Sequence, residues 1–265
     1  MKKLISLTAA FVLILSLLAS CKSDPAVNTS TSASALTESE KSSSVSLNPS
    51  SEEPVTTSSD SSSVNSYNPV NNHPNLKDRS LFVLGDSISI DYGPYLGAAV
   101  NGVFKYSRKQ NPQNPDEVPE ALKDQNGRTS KLCFEYLKYE VDRGVKYDIL
   151  MINCGIHDMS TGVSISEYEI YIDQLVKFAK ANCNDFVWVT STDFGNKADK
   201  VAQYNEVATR IMTANNIFII DLNKISNAYG VIDDITRDST HFKPEYAEKQ
   251  GQEIARLLKA MYYAG

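Results

Sequence analysis

Residues 81–87 read Leu-Phe-Val-Leu-Gly-Asp-Ser, a short apolar run followed by a glycine and two polar residues. A continuous apolar run of this length is typical of a parallel strand that is buried on both faces. The glycine permits a sharp turn out of the strand, and the turn presents the hydroxyl of Ser87 at the strand's carboxyl end. The stretch therefore predicts a buried strand that ends in an exposed serine.

Further apolar runs alternate with segments of helical periodicity along the rest of the chain. The runs cover residues 147–154, 186–189 and 217–222, with a weaker strand near 103–107. Helical spacing covers residues 129–143, 164–182, 201–215 and 244–261. This alternation predicts an α/β fold with a mainly parallel sheet and helices on both faces. In such sheets, ligands bind in the loops beyond the carboxyl ends of the strands.

A second polar group stands just before the last predicted helix, where the chain reads Asp238-Ser239-Thr240-His241. In a tight turn this spacing brings the carboxylate to Nδ1 of the imidazole, which fixes the tautomer and leaves Nε2 to face a nucleophile. Taken alone, the Gly-Asp-Ser turn also fits an ordinary polar turn, and Asp-x-x-His also fits a helix-start Asp beside a surface His. The argument for catalysis therefore depends on the two groups together.

Gly-Asp-Ser after the first strand and Asp-x-x-His before the last helix resemble the SGNH hydrolase superfamily, the GDSL-like lipases and esterases. The resemblance covers residues 79–261. It implies a flavodoxin-like three-layer α/β/α sandwich and hydrolysis of ester bonds through an acyl-enzyme. It also implies a triad of Ser87 as nucleophile, His241 as general base and Asp238 as its partner. Asp86 is interpreted as a structural turn residue.

The two middle blocks of the family match less closely. Gly127, directly before a predicted helix, is the best match to the glycine whose backbone N–H helps to bind the oxyanion. Residues 155–158 read Gly-Ile-His-Asp, with His157 where the family's asparagine stands. A neutral imidazole still donates one N–H, so the implied oxyanion hole comprises Ser87, Gly127 and His157. The alternative for His157 is a buried ring bonded to a backbone carbonyl.

The resemblance leaves the substrate open. An O-acylated polysaccharide, a lysophospholipid and a small ester all fit, and an acyltransferase would use the same residues. This chemistry requires no metal or organic cofactor. A non-catalytic, glycan-binding surface lipoprotein with the same fold is the alternative from another class. The presence of Ser87, Asp238 and His241 favours the enzyme.

Residues 1–20 have the pattern of a signal peptide, with two lysines followed by an apolar stretch too short to span a bilayer. The stretch ends in Leu-Ala-Ser-Cys, which resembles the lipobox of bacterial lipoproteins. The resemblance implies that Cys21 becomes the lipid-bearing first residue of the mature protein. The predicted location is extracytoplasmic, with the lipid as the sole attachment to a bacterial membrane.

Residues 21–75 are dominated by Ser, Thr, Asn and Pro and predict a disordered linker, so residues 76–265 form the one folded domain. The chain has a formal net charge of −6 and no basic block, which argues against nucleic acid as a partner. Three cysteines of the domain lack metal-ligand spacing and are interpreted as small buried residues: Cys133, Cys154 and Cys183.

Overall fold

The structure is a computed structural model that describes residues 76–263. The predicted signal peptide, Cys21 and the predicted linker fall on residues 1–75 and lie outside the described residues. Within residues 76–263, each helix is too short or too polar to span a membrane.

Five strands, all parallel, form one sheet: β1 (Ser80–Gly85), β2 (Lys105–Arg108), β3 (Tyr147–Asn153), β4 (Cys183–Val189) and β5 (Phe218–Ile220). Their order across the sheet is β2-β1-β3-β4-β5, which is the flavodoxin-like order. The chain moves outward in opposite directions from β1 and β3, so the loops at their carboxyl ends diverge and leave a crevice there. The predicted parallel sheet is confirmed, including the weak strand, which is β2.

Eight helices flank the sheet in the described part of the chain: α1 (Ser87–Ala99), α2 (Ser130–Asp142), α3 (Ile156–Ser160), α4 (Ile165–Asn182), α5 (Ala198–Ala214), α6 (Leu222–Asn227), α7 (Ile232–Ile235) and α8 (Pro244–Tyr263). The four predicted helices correspond to α2, α4, α5 and α8. The last strand is shorter than the apolar run because Asp221 ends it. Its Oδ1 accepts a hydrogen bond from the Lys224 N–H at 3.0 Å, which caps α6.

Two apolar cores, one on each face of the sheet, hold the layers together. Successive strand residues point to opposite faces, so Leu81 and Val83 pack with α1 and α8, whereas Leu84 packs with α2, α4 and α5. All three of these strand residues are fully buried. The predicted three-layer α/β/α sandwich is confirmed.

Helix α1 forms although its sequence contains the helix breakers Gly93, Pro94 and Gly97. Packing against α8 offsets their cost. A Cβ on Gly251 of α8 would lie only 2.7 Å from the backbone nitrogen of Leu96, so the two helices approach backbone to backbone. This close contact fixes the helix whose first residue is Ser87.

The cysteines of the domain are free thiols in the structure. Cys133 and Cys154 are fully buried, as predicted, while Cys183 at the start of β4 is half-buried. Burial raises the pKa of the Cys183 thiol to about 12. Each of these cysteines therefore acts as a small packing residue.

Candidate active site

Ser87 opens α1 at the carboxyl end of β1. The Asp86 N–H donates to the Asn153 carbonyl at 3.2 Å, which holds the end of β1 beside the end of β3. The Asp86 side chain caps α1, because its Oδ1 accepts a hydrogen bond from the Ile88 N–H at 3.0 Å. Ser87 is half-buried at the helix N-terminus, where the helix dipole favours developing negative charge.

Asp238 and His241 are hydrogen-bonded in the turn before α8. Oδ2 of Asp238 accepts from Nδ1–H of His241 at 2.8 Å, and Oδ1 accepts from the His241 backbone N–H at 2.7 Å. These hydrogen bonds, the backbone one first, lower the pKa of the Asp238 carboxyl, so it is ionised at neutral pH. With Nδ1 engaged, Nε2 is the ring nitrogen left for a nucleophile.

An ion pair fastens this turn to α1. Nη2 of Arg237 lies 2.9 Å from Oδ2 of Asp91, which stands one helical turn after Ser87. Burial raises the pKa of the Asp91 carboxyl, and the positive charge of Arg237 opposes that rise. Ser87 and His241 therefore lie at the same edge of the sheet. Within the described residues, the His241 side chain makes its hydrogen bond to Asp238. A contact between His241 and Ser87 therefore stays a prediction.

Gly127 does not offer the free N–H that the sequence predicts. Its N–H donates to the Gly85 carbonyl at 2.7 Å, which docks the loop before α2 onto the end of β1. A Cβ at this position would lie 3.0 Å from that carbonyl oxygen and 3.0 Å from Sγ of Cys133. The glycine is thus needed for a close backbone contact, and in this structure its N–H is not available to an oxyanion.

His157 lies half-buried at the start of α3, beside the same loop. Its Nε2 is 3.4 Å from Nδ2 of Asn126. Burial, followed by the positive charge of Arg128, lowers the pKa of the imidazole, so His157 is neutral at pH 7. A neutral ring has one N–H to donate, as the predicted oxyanion role requires.

Asn126 is a candidate that the sequence analysis missed. Its Oδ1 accepts a hydrogen bond from the Arg128 N–H at 2.8 Å, which orients Nδ2 toward His157. An asparagine that bonds the backbone two residues later is the signature of an Asx turn. The Asn-Gly-Arg order contains that signal, but the pairing with His157 depends on residues 31 positions apart.

Asp158 ties the helix that carries His157 to the start of α2. Its two carboxylate oxygens accept from Ser130, at 2.8 Å from the backbone N–H and 2.5 Å from the hydroxyl. These hydrogen bonds join α3 to the start of α2. Asp158 bonds Ser130 and makes no hydrogen bond to the His157 ring. Burial raises the pKa of its carboxyl to about 6.

Asp86 yields a pH prediction. It is fully buried, and burial raises the pKa of its carboxyl from 3.8 to about 7. The folded state then binds this proton more tightly than the unfolded chain does. Protonated Asp86 therefore adds to the free energy of unfolding below about pH 4, and this contribution is lost as the pH rises to about 7. Asparagine retains the helix cap and cannot ionise. Asp86→Asn should therefore gain on the order of 2–4 kcal/mol of unfolding free energy over the wild type between pH 4 and pH 8.

Urea denaturation of both chains at pH 4, 6 and 8 measures this difference. Asp142→Asn, at an exposed position on α2, controls for the loss of one surface carboxylate. A difference between wild type and Asp86→Asn that does not change with pH would contradict the assignment.

No protein-family model and no curated protein matches the chain. Solved structures do match its fold. One is an acetylxylan esterase from Geobacillus stearothermophilus, at a TM-score of 0.51 and 18% identity, covering 71% of this chain and 96% of that one. Another is described as a lipolytic protein of the G-D-S-L family from Desulfitobacterium hafniense, at a TM-score of 0.51 and 14% identity, covering 68% and 99%.

A third match is the C-terminal catalytic domain of a peptidoglycan O-acetyltransferase from Streptococcus pneumoniae, solved with a methylsulfonyl adduct. Its TM-score is 0.50 at 16% identity, covering 69% of this chain and 94% of that one. At these identities the likeness establishes the fold. The chain therefore has the α/β fold of these esterases and acyltransferases, with Ser87, Asp238 and His241 at one edge of its sheet.

Proposed function

We propose that the protein is a serine esterase that cleaves ester bonds through an acyl-enzyme on Ser87. The observation that carries the proposal is the Asp238–His241 pair, bonded at 2.8 Å, in a turn that an ion pair ties to the helix of Ser87. Solved mutants of the acetylxylan esterase support it. Those described as catalytic replace a serine, an aspartate and a histidine, and the last two are three positions apart, as Asp238 and His241 are.

In the proposed reaction, Nε2 of His241 takes the proton of Ser87 as the hydroxyl oxygen attacks the ester carbonyl. Asp238 stabilises the imidazolium that forms. His241 then gives the proton to the leaving alcohol, which breaks the ester bond and leaves the acyl group on Ser87. A water molecule attacks the acyl-enzyme by the same proton transfers, releases the acid and restores Ser87.

The oxyanion of each tetrahedral intermediate is proposed to bind the Ser87 backbone N–H together with the side chains of His157 and Asn126. Nδ2 of Asn126 lies 3.4 Å from Nε2 of His157 and can donate to it only when Nε2 carries no proton. The proposal therefore requires the tautomer with the proton on Nε2, in which the two N–H groups can converge on one oxygen. Because Gly127 donates to Gly85, Asn126 takes over in this proposal the part that the resemblance assigns to the Gly127 N–H.

The proposed substrate is an O-acetylated carbohydrate outside the cell. Of the matched enzymes, one is described as an acetylxylan esterase and another as a peptidoglycan O-acetyltransferase. The predicted secretion, lipid anchor and linker would also present the domain to extracellular polymers. The acetyltransferase among the matches makes acyl transfer a second candidate, which differs only in whether water or a sugar hydroxyl attacks the acyl-enzyme.

The test uses the full chain with acetylated xylan, acetylated peptidoglycan, a lysophospholipid and 4-nitrophenyl esters, and measures the acid released. We expect acetate from an acetylated glycan, and release slower by about 10³-fold or more from Ser87→Ala. Transfer of acetyl groups to an added sugar at a higher rate than their release as acetate would establish the transferase. Hydrolysis of the lysophospholipid alone would contradict the carbohydrate assignment, and no turnover of any ester would contradict the esterase.

The lipid anchor is also a proposal, motivated by the Leu-Ala-Ser-Cys sequence that ends at Cys21. Replacing Cys21 by Ala removes the thiol that would be acylated. We expect the variant to accumulate as a precursor that retains residues 1–20 and carries no lipid, measured by intact mass and by detergent partitioning. Cys183→Ala is the control, because that thiol is half-buried in the domain. A Cys21→Ala protein that is cleaved and still enters the detergent phase would contradict the proposal.

A further inference from the structure

A cleft of about 500 Å³ lies between α1 and β2, next to the candidate active site. Ile90 and Pro94 of α1 line one side, and Tyr106 and Arg108 of β2 line the other. Ile90 stands three residues after Ser87, which places the two side chains about 5–6 Å apart on the surface of the helix. Gln125, which also lines the cleft, directly precedes Asn126. The cleft thus continues the active site along α1.

Arg108 carries the main charge of this cleft. Arg108 is only 9% exposed to solvent. Nη2 donates to the Ser89 hydroxyl at 3.2 Å and makes a long contact of 3.5 Å with the Gln125 carbonyl. Nε is buried without a hydrogen-bond partner. Nη1 makes no hydrogen bond within the described residues and, unlike Nε, is not fully buried.

No carboxylate lies within 4.0 Å of Arg108 among residues 76–263, although a buried charge is costly unless it is paired. Arg79 of the same domain shows the contrast. Its guanidinium, 1% exposed, contacts the carboxylates of Asp148 at 2.7 Å and Asp185 at 2.6 Å. The buried Arg79 is thus neutralised within the fold, whereas Arg108, which is also largely buried, is held by neutral oxygens.

The groups around Arg108 provide further unused donors and little negative charge. The hydroxyls of Tyr92 and Tyr106 are buried and make no hydrogen bond. The acidic group that acts on Arg108 is Asp86, which is engaged in capping α1. Burial raises the pKa of Asp86 to about 7, so it is only partly ionised at neutral pH and compensates Arg108 incompletely.

Glycine in α1 makes this arrangement possible. A Cβ on Gly93 would lie 2.9 Å from the Tyr106 hydroxyl oxygen and 3.3 Å from Cδ of Arg108. A Cβ on Gly97 would lie 2.8 Å from the Tyr106 ring. Each glycine costs a helix interior about 1 kcal/mol relative to alanine. The glycines are needed here because the Tyr106 and Arg108 side chains of β2 cross the helix at these positions and form the cleft.

We propose that this cleft binds a carboxylate of the ester substrate, with the guanidinium of Arg108 as its ligand. Arginine suits the task because its guanidinium stays charged and Nη1, the nitrogen that makes no hydrogen bond within the described residues, has two N–H groups to donate to a carboxylate. Because the cleft is lined by Ile90, three residues after Ser87, the carboxylate would lie a few bonds from the ester. It belongs either to the alcohol, as in an acetylated uronic acid, or to the acyl group, as in a half-ester of a dicarboxylic acid. The proposal rests on the proposed function and specifies its substrate class.

Catalysis tests the proposal with pairs of esters that differ in charge. For the alcohol, acetylated methyl galacturonide is compared with acetylated methyl galactoside. For the acyl group, mono-4-nitrophenyl glutarate is compared with 4-nitrophenyl pentanoate. In one of these two pairs, the wild type should have a kcat/KM about 10- to 100-fold higher for the ester that carries a carboxylate, mainly through a lower KM. Arg108→Gln should reduce this ratio of kcat/KM values toward 1. Arg108→Lys should retain part of it, and Arg256→Gln, at an exposed site on α8, should retain all of it.

Binding provides a readout that does not depend on hydrolysis or on the folding of Arg108→Gln. Calorimetry on full-length Ser87→Ala measures methyl galacturonide, glutarate and inorganic phosphate as ligands. We expect one carboxylate to bind, and to bind more tightly than phosphate. If it binds while no ester is turned over, the proposed function fails and the carboxylate site stands. Equal rates within both ester pairs, or phosphate bound more tightly than either carboxylate, would overturn the site.

Discussion

Replacing Ser87 or His241 by alanine should lower kcat by about 10³–10⁶-fold, and replacing both should cost little more than either alone. The reason is that the base and the nucleophile act as one unit, since a serine that cannot lose its proton to His241 is a poor nucleophile. The residual rate would come from the oxyanion donors and from substrate binding. The measurement is acetate release by the full chain and the two single and one double variants.

Asp238→Asn should reduce kcat by a smaller or comparable factor. Asparagine accepts from the backbone N–H of His241 but lacks the charge that stabilises the imidazolium. Ser239→Ala provides a control in the same turn, because the Ser239 hydroxyl bonds Asp233 rather than the triad. Losses of Ser87 and His241 that multiply in the double variant would contradict a single catalytic unit.

The second large effect is expected at the paired donors His157 and Asn126. Loss of one oxyanion donor typically costs about 10²–10³-fold in kcat, so His157→Ala and Asn126→Ala should each fall in that range with little change in KM. His157→Asn should recover part of the loss, because an asparagine amide replaces the imidazole N–H. Since the two nitrogens lie 3.4 Å apart, the double variant should lose less than the product of the single losses.

A control variant separates loss of an oxyanion donor from a change in the loop. Burial lowers the pKa of His157, so its ring is neutral at pH 7 and has one N–H to donate. Thr129→Ser, which can still cap α2 through its hydroxyl, is the control for a change in the loop. Wild-type kcat in a folded His157→Ala protein would contradict the donor role, as would an imidazole turned away from Ser87.

The buried parallel strands could be predicted because strands covered on both faces need continuous apolar runs. Helix α1 could not, because Gly93, Pro94 and Gly97 oppose a helix locally. Its stability comes from the backbone contact with Gly251, about 150 residues later in the chain, and from the Tyr106 and Arg108 side chains that fill the space left by its glycines. Local propensity contains none of this information.

The site divides in the same way. Asp238 and His241 are three residues apart, so their pairing follows from a local turn. The resemblance implies that the Gly127 N–H binds the oxyanion, but this N–H donates to the Gly85 carbonyl, a contact that depends on how a loop docks on the sheet. Arg108 ends a strand that was predicted only weakly, and its burial without a carboxylate partner becomes visible only in three dimensions. Interactions between distant residues account for what the sequence left out.

The nucleophile is the central claim, and a fluorophosphonate tests it most directly. The probe phosphonylates only a serine whose proton a neighbouring base removes, so full-length protein should gain the mass of one adduct, and peptide mapping should locate it on Ser87. Ser87→Ala and His241→Ala should gain none at matched time and concentration. An adduct on another serine, or labelling of Ser87→Ala as fast as wild type, would contradict the account.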